Sequence, residues 1–102
     1  MFDEIKKKFP KAWQMFYDWL LYDAGIDSTM ILCDPETVSG WQYKFFDEQG
    51  IIIEIEYHIF GEVFGYYIIG TWRKLWTKEN FNTRQEAEQA AFTKAFGILE
   101  DK

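Results

Sequence analysis

The sequence predicts an α+β fold of order α-β-β-β-α, a three-stranded antiparallel meander with both helices packed on one face. Three observations predict it. Residues 10–24, "PKAWQMFYDWLLYDA", carry a helical apolar stripe between Pro10 and Gly25. Residues 41–71 alternate apolar and polar side chains around two glycine-containing turns. Residues 82–100, "NTRQEAEQAAFTKAFGILE", join a threonine cap to an alanine-rich face. At 102 residues the chain has room for a single domain, 1–102. Its 21% of aromatic residues supply enough ring surface, roughly 150–250 Å² each, to close one core.

The first helix is bounded by residues suited to its ends. Pro10 fits the first helical position, and Gly25 follows the last. Trp13, Phe16, Leu20 and Ala24 recur at helical spacing, and Met15, Trp19 and Tyr22 form an adjoining stripe. An apolar arc this wide faces a core. Phe2 and Ile5 belong to a short leading turn that ends at Phe9, which Pro10 restricts. Residues 25–40, "GIDSTMILCDPETVSG", read as a long connection holding one apolar clump, "MILC", and a turn or short-helix start at "DPET".

The sheet is expected from two turns. "WQYKFFD" and "IIIEIEYHIF" flank Glu48-Gln49-Gly50, which reads as a three-residue hairpin loop with glycine in the left-handed position. In that register Trp41 faces Tyr57, Tyr43 faces Ile55, Phe45 faces Ile53, and Lys44 meets Glu54 on the other side. Gly61-Glu62 reads as a two-residue loop that sets Tyr57 opposite Tyr66, Ile55 opposite Ile68, and Ile51 opposite Trp72. Both turns send Ile53, Ile55 and Ile68 inward and Glu54 and Glu56 outward, so the helices should cover the face bearing Trp41, Ile53, Ile55 and Ile68. The closing helix has a capping box at Thr83 and Glu86. Ala87, Ala91, Ala95 and Ile98 line one side, with Phe92, Phe96 and Leu99 beside them.

This order is similar to that of the double-stranded RNA-binding domain, and "TRQEAEQAAFTKAFGIL" resembles its last helix. The cap at Thr83, the alanines at Ala87, Ala90 and Ala91, and the tail at Phe96 and Leu99 carry the likeness. The family's basic clamp departs: Arg84 holds its first position, but Gln85 and Glu88 occupy the others, and the family's Gly-Pro-x-His hairpin has no counterpart near "QGII". The resemblance therefore implies the topology without the RNA contacts, because a carboxylate repels the phosphate it would have to meet. The chain also looks like small uncharacterised bacterial and phage proteins that end in an "xTxEEAExAxxxKAxxIL" type of helix, a likeness that implies no activity.

Charge and composition narrow the function classes. Net charge is −6. Setting aside the four lysines and two acidic residues of the first eleven leaves seven cations against fifteen carboxylates, a balance of −8. Such a body repels nucleic acid at long range. No apolar run spans a bilayer, no hydrophobic stretch follows the charged start as in a signal peptide, and Cys33 has no second cysteine to bridge. A soluble cytoplasmic protein is the expectation.

The candidate sites follow from the strand register. Phe46, Ile52, Tyr67 and Ile69, with Phe60, form an apolar-aromatic patch on the outward sheet face, suited to a protein partner or to a homodimer. Arg73, Lys74, Trp76 and Lys78, with Arg84, form a strip of rings and cations that could stack on a nucleic-acid strand. The commoner role for Trp72 and Trp76 is to seal the sheet's end while the cations reach water. Glu54, Glu56 and His58 share one face of a strand, but their spacing of about 6–7 Å is too wide for one ion without a converging element. Cys33 lies among apolar residues with no base in sequence reach and reads as a packed thiol. No phosphate loop, metal-ligand cluster or nucleophile-base pair is evident, so no catalytic residue, metal or cofactor is expected. The leading expectation is a non-enzymatic interaction module; the alternative is a nucleic-acid-binding domain using the Trp/Arg/Lys strip.

Overall fold

A computed structural model of the chain describes residues 3–23, 25, 35–59, 61–70 and 75–101. Helix α1 (Asp3–Lys8) leads into α2 (Pro10–Asp18), whose last turn widens into a π-helical stretch at Trp19–Asp23. Helix α3 (Pro35–Glu48) follows, then strands β1 (Ile52–His58), β2 (Val63–Ile69) and β3 (Leu75–Phe81), and finally α4 (Arg84–Glu100). The strands form an antiparallel meander in the order β1-β2-β3. Helix α4 lies against all three strands, α2 packs on α4, and α3 packs against β1 and α4. The class is α+β, with the helices against one face of a three-stranded sheet. Its strands, however, are not all drawn from the segments expected.

Residues 41–47 are helical, not a first strand. "WQYKFF" alternates, but its apolar and amphipathic residues also recur at i, i+3 and i+4, and burial selects that period: Gln42, Phe45 and Phe46 are all buried. Gly50 does have a left-handed φ of 79°. It ends a helix instead of turning a hairpin. The Ile51 N–H donates to the Phe46 carbonyl at 2.8 Å and the Gly50 N–H to that of Asp47 at 3.0 Å, a Schellman closure. The expected Lys44–Glu54 strand pair is therefore absent, and the Lys44 ammonium instead lies 5.7 Å from the Trp41 ring centroid.

The β1–β2 pairing is offset by two residues from expectation. Ile53 pairs with Ile68 and Ile55 with Tyr66, so residues 59–62 connect the strands in place of the expected two-residue loop. A shift of two keeps every side chain on its face. Ile53, Tyr66 and Ile68 are buried and Ile55 packs against them, while Glu54 and Glu56 are exposed. The third strand is β3, which places Trp76 opposite Ile68; the sequence alone puts Trp76 in a connection and ends the sheet near Trp72, a residue outside those described.

The core is aromatic. Phe16 lies 5.1 Å from Phe45 and 5.7 Å from Phe96 between ring centroids, and Phe46 lies 5.0 Å from Phe96. Phe16, Phe45, Phe46, Leu20, Phe96, Ile51 and Ile68 are fully buried, joining α2, α3, α4 and the sheet. Met15 and Tyr22, expected in the second stripe of the first helix, are exposed, because the core meets only the arc of Ala12, Phe16, Trp19 and Leu20.

Candidate interaction surface

The face of the sheet away from the helices is organised in cross-strand rows. Ile52 pairs with Ile69, and Ile69 pairs with Leu75. This single row of three branched apolar side chains is 45%, 37% and 61% exposed, respectively. The next row is Glu54, Tyr67 and Thr77. The Tyr67 hydroxyl donates to Glu54 Oε2, and this hydrogen bond, more than any other cause, holds the Tyr67 hydroxyl above the ordinary tyrosine value.

Beyond it the face turns acidic. Glu56 is opposite Gly65, the one position of the central strand with no side chain. A Cβ there would come within 2.9 Å of the Lys78 carbonyl oxygen and 3.2 Å of His58 Nε2. The hollow lets His58 of β1 lie across the sheet, with Nε2 3.7 Å from carboxylate oxygens of both Glu56 and Glu79. That nitrogen is screened from solvent and has no hydrogen-bond partner among the described residues. Among those residues no group of three His, Cys, Asp or Glu side chains is arranged to hold a metal ion.

Of the expected patch, Ile52, Tyr67 and Ile69 do share this face. Phe46 does not: it is 0% exposed inside α3, stacked on Phe92. Its segment is a helix and not the outer strand, so its side chain turns to the core. Phe60 lies outside the described residues. Leu75 escapes the sequence reading, because the row needs β3, and "LWTKENF" carries too little alternation to announce a strand. The residue signal that could have found it is Leu75 itself, an aliphatic side chain one step before the buried-side Trp76.

The second expected constellation is divided. Trp76 and Lys78 line a groove of about 1070 Å³ between β3 and α4, together with Phe9, Tyr66, Phe81 and Lys94. The indole of Trp76 lies so close over Gly70 that a Cβ there would sit 2.7 Å from it. Arg84 is on the other flank of α4, beside Tyr43 of α3, with its Nε 3.5 Å from Glu88. Arg73 and Lys74 lie outside the described residues. Cys33 and the "MILC" clump lie outside them too. Among the described residues no helix is long and apolar enough to cross a membrane.

In comparisons with known proteins, no family model, curated protein or solved structure matches the chain.

Proposed function

We propose that the protein is a non-enzymatic interaction module whose outward sheet face binds a partner protein. The observation that carries this reading is the exposed row Ile52, Ile69 and Leu75, aligned across all three strands. Single exposed aliphatics are ordinary, but a contiguous row is the material of an interface core. Among the described residues the flanking rows bear Glu54, Glu56 and Glu79 and no lysine or arginine, so the complementary partner is basic around an apolar centre. A second copy of this same face is a poorer complement, since among the described residues its rows offer no lysine or arginine to meet those carboxylates.

The test is the double variant Tyr67→Glu with Ile69→Lys, both at exposed or half-exposed positions that leave the core intact. It should keep its circular dichroism and melting temperature and lose the cross-linked partner that the wild-type protein captures in its native host. Equal capture by the folded double variant would defeat the reading.

The nucleic-acid alternative has narrower support. Trp76 and Lys78 share a groove, but Arg84 is occupied by Glu88, and the positions where the resembling family carries its clamp hold Gln85 and Glu88. Binding of that kind would fall steeply with added salt, and oligonucleotide titration at two salt concentrations separates the two readings.

A further inference from the structure

β3 is an edge strand. One side of it pairs with β2, and among the described residues the other side has no strand partner. The irregularity in the β2–β3 ladder falls between Phe64 and Tyr66, and Asn80, with φ of 76°, bends the chain beyond Glu79. Leu75–Glu79 is therefore a regular stretch of five residues, with no proline, whose outer backbone groups face away from the sheet. An edge of this kind is a template for another strand.

The sequence of the stretch, "LWTKE", specifies which strand. Paired antiparallel with itself about Thr77, it sets Thr77 against Thr77, Trp76 against Lys78 twice, and Leu75 against Glu79 twice. The Trp76–Lys78 pairs lie on the groove side of the sheet, where an ammonium beside an indole is favourable. Lys78 has no ion pair among the described residues and rests 5.9 Å from the Phe81 ring centroid. The Thr–Thr pair lies on the outward side, where such pairs support each other. Sliding the register by two in one direction sets Lys78 against Lys78, two like charges. Sliding it by two in the other shortens the paired stretch to Leu75–Thr77. Only the register centred on Thr77 uses all five residues without opposing like charges.

We propose that two copies of the chain join through this edge, β3 to β3 in antiparallel fashion about a two-fold axis at Thr77, making one six-stranded sheet. The contact is isologous and closes after two copies. It leaves the outward face uncovered, and because Leu75 of one copy meets Glu79 of the other, each Ile52–Ile69–Leu75 row runs on into the acidic row of its partner. The inference is independent of the partner reading above.

Size-exclusion chromatography with light scattering tests it. An edge contact is smaller than a standard interface of about 1,600 Å², so the dimer should dissociate on dilution somewhere between about 1 mM and about 1 µM. Thr77 is exposed in the single chain, so Thr77→Lys and Thr77→Glu should fold normally. Each alone should weaken dimerisation about fivefold or more, by placing like charges on the two-fold axis. An equimolar mixture of the two variants should recover it, because the ammonium introduced in one copy then meets the carboxylate introduced in the other. Amide exchange across Leu75–Glu79 should slow as concentration rises, with β1 unchanged. The Tyr67→Glu, Ile69→Lys protein should dimerise as the wild type does. A wild-type protein that remains monomeric at about 1 mM, or a dimer indifferent to both charges at position 77, would overturn the proposal. A dimer lost only in the Tyr67/Ile69 variant would assign self-association to the outward face instead.

Discussion

The Tyr43 hydroxyl is buried with no hydrogen-bond partner among the described residues, although its ring is well placed, edge-on to Phe92 with centroids 5.0 Å apart. Burial, and then the neighbouring Glu88 carboxylate, push this hydroxyl well above the usual tyrosine range. Burial raises Tyr66 in the same direction. A raised acid of this kind contributes stability that is fully present below the unfolded value near pH 10 and is lost as pH rises through the folded value. Tyr43→Phe keeps the ring and removes the unpaired oxygen. At pH 7 it should leave stability unchanged or higher by up to about 1 kcal/mol. At pH 11 the wild-type protein should have lost stability that the variant keeps. Urea unfolding at the two pH values checks both halves.

At the scale of elements, helix ends show how far local signals reach. Helix α4 is capped from within: the Glu86 N–H donates to Thr83 Oγ1 at 3.1 Å, and Glu86 Oε2 accepts from the Asn82 N–H at 3.2 Å. The box is legible because its members are neighbours, although the glutamate reaches one residue further back than the usual partner. Helix α2 has no such help, since Phe9 at its N-cap offers no acceptor. Its cap comes from the far end of the chain. The Ala12 N–H donates to Glu100 Oε2 at 2.7 Å and the Lys11 N–H to Glu100 Oε1 at 3.3 Å. A carboxylate there both satisfies free amides and meets the positive end of the helix dipole. Glu100→Ala should cost about 0.5–2 kcal/mol, the usual range for a lost cap, with Glu100→Gln intermediate; thermal unfolding measures it. Gly50 marks the opposite case. A left-handed glycine closes a helix as readily as a hairpin, and nothing within "DEQGI" separates the two outcomes.

At the scale of the whole molecule, one ring ties the layers together. Phe16 of α2 meets Trp13 and Trp19 on its own segment, Phe45 on α3 and Phe96 on α4. Phe16→Ala leaves a cavity where three helices converge and should cost about 3–5 kcal/mol. Against a total of about 5–15 kcal/mol for a domain, that is enough to shift denaturant unfolding to a far lower midpoint. A single transition, coincident by fluorescence and circular dichroism, would show that the layers unfold together. The opposite face of the sheet has no such tie. Its apolar row and its acidic rows are separated along the strands, and that segregation gives the proposed interface a direction.

What the chain determined locally is the set of features whose causes lie within a few residues: Pro10 opening a helix, Thr83 and Glu86 capping another, and the alternation that sends Ile53 inward and Glu54 outward. These survive even a two-residue slip of register, because strand faces repeat every two residues. What only packing decided is the state of 41–47, the strand at Leu75–Phe81, the distant cap on α2 and the alignment of Ile52, Ile69 and Leu75. "WQYKFF" satisfies two periods at once, and the helix prevailed because it alone brings Phe45 and Phe46 against Phe16, Phe92 and Phe96. With that segment out of the sheet β1 became an edge strand, and the third strand came from β3, which pairs with the far side of β2 and brings Leu75 into line with the two isoleucines.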